Sequence, residues 1–246
     1  MSIQYLLMWL EAPLQSWGVD SKFVRRDTMQ FPTKSGILGL ICCALGASGE
    51  QHDLLKMLGD SPMTVFAFSR TKEKKDGSLI KMPREALLCD FQMVGSGYSE
   101  ENSWQSLMIP KTSSGSKAVG GGTKLTYRYY LQDAYFCVIL ELQQELAFQI
   151  SEALQNPVFD IYLGRKDCVP TDFIFRGCYL SFNEALNAMA EISKEKKLIE
   201  DFRVIEAENP EEGDVLTLND IPIQFGKVKK YRDRRVTIIQ PHNTHG

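Results

Sequence analysis

Two neighbouring segments near the N-terminus combine residue types that bind nucleic acid. The first, Gln15-Ser16-Trp17-Gly18, follows an apolar run and a proline, and we expect it to form an exposed polar and aromatic tip. The second, Pro32-Thr33-Lys34-Ser35-Gly36, opens an apolar stretch typical of a helix. The first turn of a helix attracts phosphate through free backbone N–H groups and the positive end of its dipole. Together the segments predict a cradle for a nucleic-acid backbone and one or two bases, although Thr33 or Ser35 also fits an ordinary N-cap.

Further basic and aromatic residues recur at predicted strand ends and in loops. Strand alternation places Tyr127 and Tyr129 on one face and Arg128 and Tyr130 on the other. Arginine binds phosphate in a bidentate way and stacks on bases, and tyrosine offers a ring face and a hydroxyl. Each such residue alone is more often a solvated charge or a core aromatic, so the hypothesis depends on their joint placement. The other basic candidates are Arg25, Arg26, Lys124, Arg165 and Lys166.

Few residues suit acid–base or metal chemistry. The three histidines are His52, His242 and His245, and none has an obvious partner, which argues against a histidine general base. No His, Cys and Asp group has metal-ligand spacing, and no phosphate loop of the GxxxxGK[ST] type occurs. A serine or cysteine nucleophile stays open, but none has a visible base. We therefore expect no catalytic residue, no metal and no cofactor.

Length and composition are those of an ordinary globular protein. The chain has 246 residues, which allows one large domain or two small ones. A net charge of −3 excludes a strongly basic, free-standing DNA binder but is compatible with a local grip on RNA. The six cysteines form no CxxC pair and are expected to be free thiols in a reducing compartment. No secretory signal and no apolar run near about 20 residues is found, so we expect a cytoplasmic location and no membrane segment.

The elements that must position these residues follow a split-βαβ order. The first ~165 residues read as β, α, β with an insertion, β, α, β, which is typical of a ferredoxin-like domain. The expected strands of this part lie over 3–10, 63–69, 85–94, 125–142 and 158–163, and the expected helices over 35–45, 51–58 and 145–155. A helix within 179–191 and strands over 202–208, 221–225 and 236–240 are expected to follow.

Residues 95–124 interrupt this order with thirty residues that are rich in glycine and serine. A stretch of this length without periodicity is either a functional projection or disorder. Four apolar residues stand out in it, namely Tyr98, Trp104, Met108 and Ile109. A plain linker does not need them, so we expect them to stack on bases or to pack on a partner.

Four sequence blocks, in this order and spacing, resemble the CasD-type family of the type I-E CRISPR surveillance complex, Cascade, within the RAMP superfamily. The blocks are YLLMWLEAPLQSWG, FPTKSGILGLICCALG, LTYRYYLQDAYF and YLGRKDC. They cover most of residues 3–170, whereas the chain after about residue 171 matches only loosely. Several such blocks together are highly specific.

The resemblance implies an α+β fold. A ferredoxin-like, RAMP- and RRM-like βαββαβ domain over 1–170 would carry a long β-hairpin thumb at about 95–124, followed by a small mixed C-terminal region over 171–246. The resemblance also implies a non-catalytic RNA-binding subunit for antiviral defence that caps the 5′ handle of the CRISPR RNA (crRNA). Its neighbours would be the repeating backbone subunit and the large subunit that reads the PAM, and target DNA would be met only through the assembled complex.

By motif match, the resemblance assigns handle contacts to both opening segments, to the strand around residue 128 and to the Gly164 turn. These candidates are Gln15, Ser16, Trp17, Lys34, Ser35, Arg128, Tyr129, Arg165 and Lys166, with Arg25 and Arg26 as weaker ones. Two alternatives stay open. A related type I-C subunit cleaves precursor crRNA by metal-independent attack of a 2′-hydroxyl, for which Tyr127, Tyr129 or Lys124 would supply the base or acid. A protein–protein adaptor without RNA contact is the other.

Overall fold

The computed structural model describes residues 2–18, 24–94, 99, 101–109, 111–116 and 124–241. Its strands are β1 (Ile3–Gln15), β2 (Trp17–Gly18), β3 (Arg25–Arg26), β4 (Thr28–Met29), β5 (Met63–Glu73), β6 (Leu79–Lys81), β7 (Leu88–Val94), β8 (Lys124–Gln143), β9 (Phe175–Tyr179), β10 (Leu198–Ile205), β11 (Asp214–Gln224) and β12 (Lys230–Ile239). Its helices are α1 (Lys34–Leu45), α2 (His52–Gly59), α3 (Ser103–Ser106), α4 (Gln144–Gln155) and α5 (Phe182–Glu195).

A large antiparallel sheet forms the centre of the molecule, so the fold class is α+β. Its main path runs β11-β12-β10-β5-β8-β1-β9, and each neighbouring pair on this path is antiparallel. The long strand β8 extends beyond this path, where β3 and β7 pair with it on either side. None of the described helices is long and apolar enough to cross a membrane.

Strand β1 shows why both faces of this sheet are covered. Successive side chains of a strand point to opposite faces. Leu6 and Met8 belong to the larger core, which also contains residues of α1 and α4. Leu7 and Trp9 belong to a second core on the other face, together with Ala185 and Met189 of α5. The continuous apolar run in β1 is therefore explained by burial on both faces.

The expected end of the first strand at residue 10 is wrong, because β1 continues through Pro13 to Gln15. The pairing with β8 passes from Ala12–Ala134 to Leu14–Gln132, and Asp133 has a φ of 45°. Proline lacks an N–H group, so it is tolerated in a strand where the hydrogen-bond ladder is locally interrupted. This extension carries the segment after Leu10 into the core instead of onto the surface.

The expected strand over 158–163 is also wrong. The strand that follows α4 is β9, and it pairs with β1 from Tyr5 to Met8. The backbone over 158–163 forms hydrogen bonds that are not part of a β-ladder. The Val158 N–H donates to Ala44 O at 2.9 Å, and the Leu163 N–H donates to Cys168 O at 2.8 Å. An apolar run such as VFDIYL does not by itself separate a strand from an irregular buried segment.

Candidate nucleic-acid interface

The predicted cationic and aromatic residues of β3 and β8 meet at a small three-stranded patch. Arg25 pairs with Tyr127 and Arg26 with Arg128 in a parallel ladder, and β7 runs antiparallel along the other side of β8. Alternation therefore places Arg25 on the face of Tyr127, and Arg26 on the face of Arg128. We call the following set the junction patch: Arg25, Arg26, Arg128, Tyr129, Arg165 and Lys166.

Arg25 covers the ring of Tyr129 while its charged end stays accessible. Its Cζ lies 4.7 Å from the ring centroid, a cation–π distance. Its Nε donates to the two Asp27 carboxylate oxygens at 2.9 and 3.0 Å. The Arg25 side chain is nevertheless 61% exposed, so it is oriented but open to solvent. Such an arrangement suits a guanidinium that meets phosphate beside a base-stacking ring.

The turn at Gly164 brings Arg165 and Lys166 to the same place. Gly164 has a φ of +94°, and a Cβ there would lie 1.6 Å from the carbonyl oxygen of Ser16. The Ser16 N–H donates to Leu163 O at 3.1 Å, which fastens the turn to the end of β1. Only glycine fits this close approach at positive φ. The glycine turn therefore fixes where its two cationic residues can lie.

The cations of the junction patch differ in how strongly they are already engaged. The Arg165 guanidinium donates to two backbone carbonyls, Tyr129 O at 3.2 Å and Arg26 O at 2.9 Å. Lys166 is exposed and Arg128 half-buried, and no described residue forms an ion pair with either. Lys166 and Arg128 are consequently better placed than Arg165 to meet an external phosphate.

The expectation of an exposed tip at residues 15–18 is wrong for Gln15, Ser16 and Trp17, and only Gly18 is exposed. Trp17 is 0% exposed, and its Nε1 donates to Gln15 Oε1 at 3.2 Å. Gln15 in turn donates from Nε2 to Ala134 O at 2.7 Å, so its amide is bound inside the protein. A Cβ on Gly36 would lie 2.7 Å from the Trp17 ring, which shows how closely the indole packs on the start of α1. Ser16 is buried as well, so these side chains support the site instead of facing a ligand.

The start of α1 is closed to phosphate in a way that the sequence did not indicate. Lys34 is 0% exposed, and its Nζ donates to Ser61 O at 2.7 Å and lies 2.9 Å from Glu206. The Lys34 backbone N–H donates to the Asp220 carboxylate at 2.7 Å. Burial lowers the pKa of Lys34, and Glu206 opposes that shift. The anion at this helix start is thus a carboxylate of β11, and the Lys34 side chain, which was predicted to meet phosphate, is buried against protein groups instead.

Thr33 forms the ordinary N-cap that the sequence offered as the alternative to a phosphate site, and Ser35 lies next to it. Thr33 is the N-cap of α1, and its hydroxyl accepts a hydrogen bond from the Gly36 N–H at 3.3 Å. Ser35 is half-buried with its hydroxyl 3.4 Å from that of Thr33. A local cap satisfies N–H groups that would otherwise be free for a ligand. The Gly36 N–H is therefore used by the cap, and Ser35 lies beside that cap at the helix start.

The predicted projection carries exposed apolar side chains. Trp104 is 78% exposed and Met108 is also exposed, whereas Ile109 is half-buried. Tyr98 and the side chain of Lys124 lie outside the described residues. The described part of the predicted thumb is therefore a surface feature, as its poor core periodicity indicates.

A second group of exposed apolar residues lies on β7 and β8 and was missed from the sequence. It consists of Phe91, Met93, Leu125 and Tyr127, which we call the apolar strip. Phe91 pairs with Tyr127 and Met93 with Leu125 across the two strands, and the Phe91 and Tyr127 rings lie 5.1 Å apart. The alternation of apolar residues in Cys89–Val94 was the signal that could have indicated it. The strip continues the face of Arg25 and Tyr129 along the hairpin.

The described residues contain no group of three or more His, Cys, Asp or Glu that is placed to hold a metal ion. Cys89, the partner of Tyr129 across the β7–β8 ladder, raises the pKa of the Tyr129 hydroxyl, and the charge of Arg25 opposes that shift. A raised pKa keeps the phenol neutral near pH 7, which suits a hydrogen-bond donor better than a general base.

Comparison with known proteins gives consistent results. The sequence matches the family described as CRISPR-associated protein (Cas_Cas5) over residues 5–237. It is 30% identical over 176 residues to the CRISPR system Cascade subunit CasD of Escherichia coli (strain K12), which covers 70% of each chain. A chain of a CRISPR RNA-guided surveillance complex is similar in structure, with a TM-score of 0.69 and 24% identity over 96% of this chain and 89% of that one. A crystal structure of a Cas protein is also similar, with a TM-score of 0.51 and 24% identity over 96% and 95% of the two chains. These structural likenesses show the fold.

Proposed function

Because the chain belongs to the Cas5 family of CRISPR-associated proteins, we propose that it is a subunit of a Cascade-type surveillance complex. Within that complex it caps the 5′ handle of the crRNA without cutting it, and it acts in the cytoplasm. The observation that carries this proposal is the junction patch, where β3, β8 and the Gly164 turn gather cations beside Tyr129.

The strand order supports a ferredoxin-like arrangement of the N-terminal unit. The strands β9-β1-β8-β5 are neighbours in that order. Helix α1 lies between β1 and β5 in the chain, and α4 lies between β8 and β9. Two split βαβ units interleaved in one sheet have this connectivity. We propose that this unit includes β9 and carries the thumb, and that β10–β12 form the C-terminal region, which continues the same sheet through the β10–β5 pair.

The chemistry of the junction patch suits single-stranded RNA. Phosphate binding by cations supplies affinity, and aromatic faces supply stacking that every base can use. Arg25 has an exposed charge beside the Tyr129 ring, Lys166 is exposed on the Gly164 turn, and Arg128 lies half-buried on the opposite face of β8. We assign the phosphate contacts to these cations and a supporting role to Gln15, Ser16, Trp17 and Lys34, whose side chains are buried.

The exposed apolar residues suit a neighbouring protein subunit. The apolar strip and Trp104 leave large side chains in water, and such groups mark interaction surfaces when they cluster. We propose that the strip and the thumb contact the repeating backbone subunit, with the large PAM-reading subunit as the second neighbour. Target DNA is then met only through the assembled complex. No feature of the described residues favours RNA cleavage over capping.

A crosslinking experiment on the assembled complex tests the proposal. The complex is co-expressed with a crRNA that carries 4-thiouridine in its 5′ handle, irradiated, and digested for mass spectrometry. The expected crosslinks join the handle to peptides that contain Tyr129 or Lys166. The control crRNA carries 4-thiouridine near its 3′ end and should not label these peptides.

The crosslinked complex and a cleavage assay on the purified protein together distinguish capping from the other two functions. Crosslinks of the handle to other subunits alone would favour the adaptor. Site-specific cleavage of a labelled repeat RNA by the purified protein, with EDTA present, would favour the endoribonuclease.

A further inference from the structure

We propose that Arg165 is a positioning residue: it latches β3 to β8 and does not itself bind phosphate. The inference rests on the proposed function only for its RNA readout, because the latch is a property of the free protein. It changes the role that the sequence predicted for this arginine. The role of Arg165 depends on what the two terminal nitrogens of its guanidinium contact.

The guanidinium joins two backbones that are far apart in sequence. Nη1 donates to Tyr129 O at 3.2 Å, and Nη2 donates to Arg26 O at 2.9 Å. Tyr129 belongs to β8 and Arg26 to β3. Planar guanidinium presents its donors in a fixed fork, so holding two carbonyls at once fixes the distance between the strands. A lysine at this position would present its donors from a single nitrogen without the planar fork, so it would hold the two carbonyls less rigidly.

The Arg165 guanidinium is itself held in place by Tyr130, which is hydrogen-bonded to Asp167 of the same turn. The Arg165 Cζ lies 4.6 Å from the centroid of the Tyr130 ring, and the Tyr130 hydroxyl donates to Asp167 Oδ2 at 2.6 Å. Tyr130 is buried, and burial together with the Asp167 hydrogen bond raises its pKa, so the phenol keeps its donor proton. Arg165, Tyr130 and Asp167 therefore form a closed set in which each member limits the movement of the next.

Strand β3 needs such an anchor because it is only two residues long. Besides the fork, it is tied to β8 by the Tyr127 N–H, which donates to Val24 O at 2.8 Å. Its first residue, Arg25, lies over Tyr129, and this geometry requires that β3 stay in register with β8. Release of the Arg26 carbonyl should therefore loosen Arg25, whose exposed guanidinium is oriented by Asp27 and Tyr129.

Salt dependence separates a phosphate contact from a positioning role. The logarithm of the affinity for single-stranded nucleic acid falls against the logarithm of salt with a slope of about −0.7 per phosphate contact. Loss of a direct contact therefore makes the slope shallower by about 0.7. Loss of a positioning group also lowers the affinity, but it changes the slope by less than about 0.7, because the cations that contact phosphate are still present. Backbone hydrogen exchange at β3 is a second readout that needs no RNA.

The test compares Arg165→Met with Lys166→Met, two neighbouring substitutions that each remove one positive charge. Affinity for a fluorescein-labelled crRNA is measured at several salt concentrations, and hydrogen exchange is measured on the free protein. For Arg165→Met we expect about tenfold weaker binding, an almost unchanged slope and faster exchange at residues 25–27. For Lys166→Met we expect a slope shallower by about 0.7 and unchanged exchange.

Tyr130→Phe provides a milder variant, since it keeps the ring and removes the hydroxyl that holds the latch. It should raise exchange at residues 25–27 by less than Arg165→Met does. The proposal is overturned if Arg165→Met makes the slope as shallow as Lys166→Met does, or if both latch variants leave exchange at β3 unchanged. Failure of the wild-type protein to bind crRNA would contradict the proposed function, and the exchange data would still decide the latch.

Discussion

The Asp220 carboxylate accepts a hydrogen bond from the backbone N–H of Lys34 at 2.7 Å, so a side chain of β11 caps the first turn of α1. The same carboxylate accepts from Arg234 Nε at 2.7 Å, and Arg234 also contacts Glu206, the partner of Lys34. Two acids and two bases thus form one mostly buried network between the N-terminal helix and the C-terminal strands. The helix dipole that would attract a phosphate is already compensated here.

Replacement of Asp220 should destabilise the fold strongly. Asp220→Ala leaves the Arg234 guanidinium and the first turn of α1 without their anion, and breaking a buried ion pair costs about 3–5 kcal/mol. Urea unfolding of the purified protein measures this loss. Asp214→Ala removes an exposed carboxylate at the start of the same strand and should change the free energy of unfolding by less than about 0.5 kcal/mol. Equal effects of the two substitutions would contradict the network.

The burial of Lys34 and Trp17 could not be predicted from the sequence. The helix that starts near Lys34 was predicted from its apolar residues and its cap, and α1 confirms that prediction. The burial of Lys34 depends on Glu206 and Asp220, which are 172 and 186 residues away in the chain. No local pattern reports a pairing at that distance. The exposure of Trp17 was wrongly predicted for a similar reason, since it depended on whether β1 ended at residue 10 or continued to Gln15.

The junction patch was more accessible to prediction because strand alternation is local. The sequence predicted that Tyr127 and Tyr129 share a face, and the β7–β8 ladder confirms this alternation. It did not indicate that β3 would pair in parallel beside them, because two residues carry no periodic signal. It also could not indicate that Arg165 would bond two backbone carbonyls, since an arginine after a glycine turn is equally typical of a phosphate contact.

Gly164 should tolerate no side chain. Gly164→Ala places a Cβ at 1.6 Å from Ser16 O, so the turn must move away from β1 and carry Arg165 and Lys166 with it. We expect reduced stability and weaker crRNA binding, measured by thermal unfolding and fluorescence anisotropy.

The matched control for this change is Gly77→Ala in the β5–β6 turn. Gly77 has a φ of +81° with no atom within 4 Å of an added Cβ, so only the backbone cost of about 1–2 kcal/mol applies. Its crRNA binding should equal that of the wild type. Retained binding in Gly164→Ala would show that the turn does not position the patch.

Tyr130 should make the latch sensitive to alkaline pH. Its pKa in the folded protein is raised above the ordinary value of 10.0, chiefly by burial and then by the Asp167 hydrogen bond. The stability that this provides is complete below pH 10.0 and is lost as the pH rises through the folded-state pKa, because the unfolded chain ionises first. The stability advantage of the wild type over Tyr130→Phe should therefore be constant at lower pH and shrink above 10.0. An advantage that stays constant through this range in urea unfolding would contradict the assignment.

Removal of the predicted thumb should leave the core intact. The described residues between 101 and 116 are exposed or half-buried, so replacing Ser96–Gly121 by a short Gly-Ser linker removes no buried side chain among them. We expect a change in unfolding free energy below about 1 kcal/mol, which corresponds to about 2–4 °C in Tm for a chain of this size. Assembly with the backbone subunit, followed by size-exclusion chromatography, should be impaired. Loss of folding would show that the segment belongs to the core.

The central claim is that Arg25, Arg128 and Lys166 of the junction patch hold the crRNA. The direct measurement is crRNA affinity of the triple variant Arg25→Ala, Arg128→Ala and Lys166→Ala. Its control is Lys72→Ala, Lys74→Ala and Lys75→Ala, which removes three exposed charges from the β5–β6 hairpin. Charge-assisted contacts are worth about 1.5–3 kcal/mol each, so we expect at least about a hundredfold weaker binding for the first variant and near wild-type binding for the second. Equal affinities of the two variants would contradict the claim.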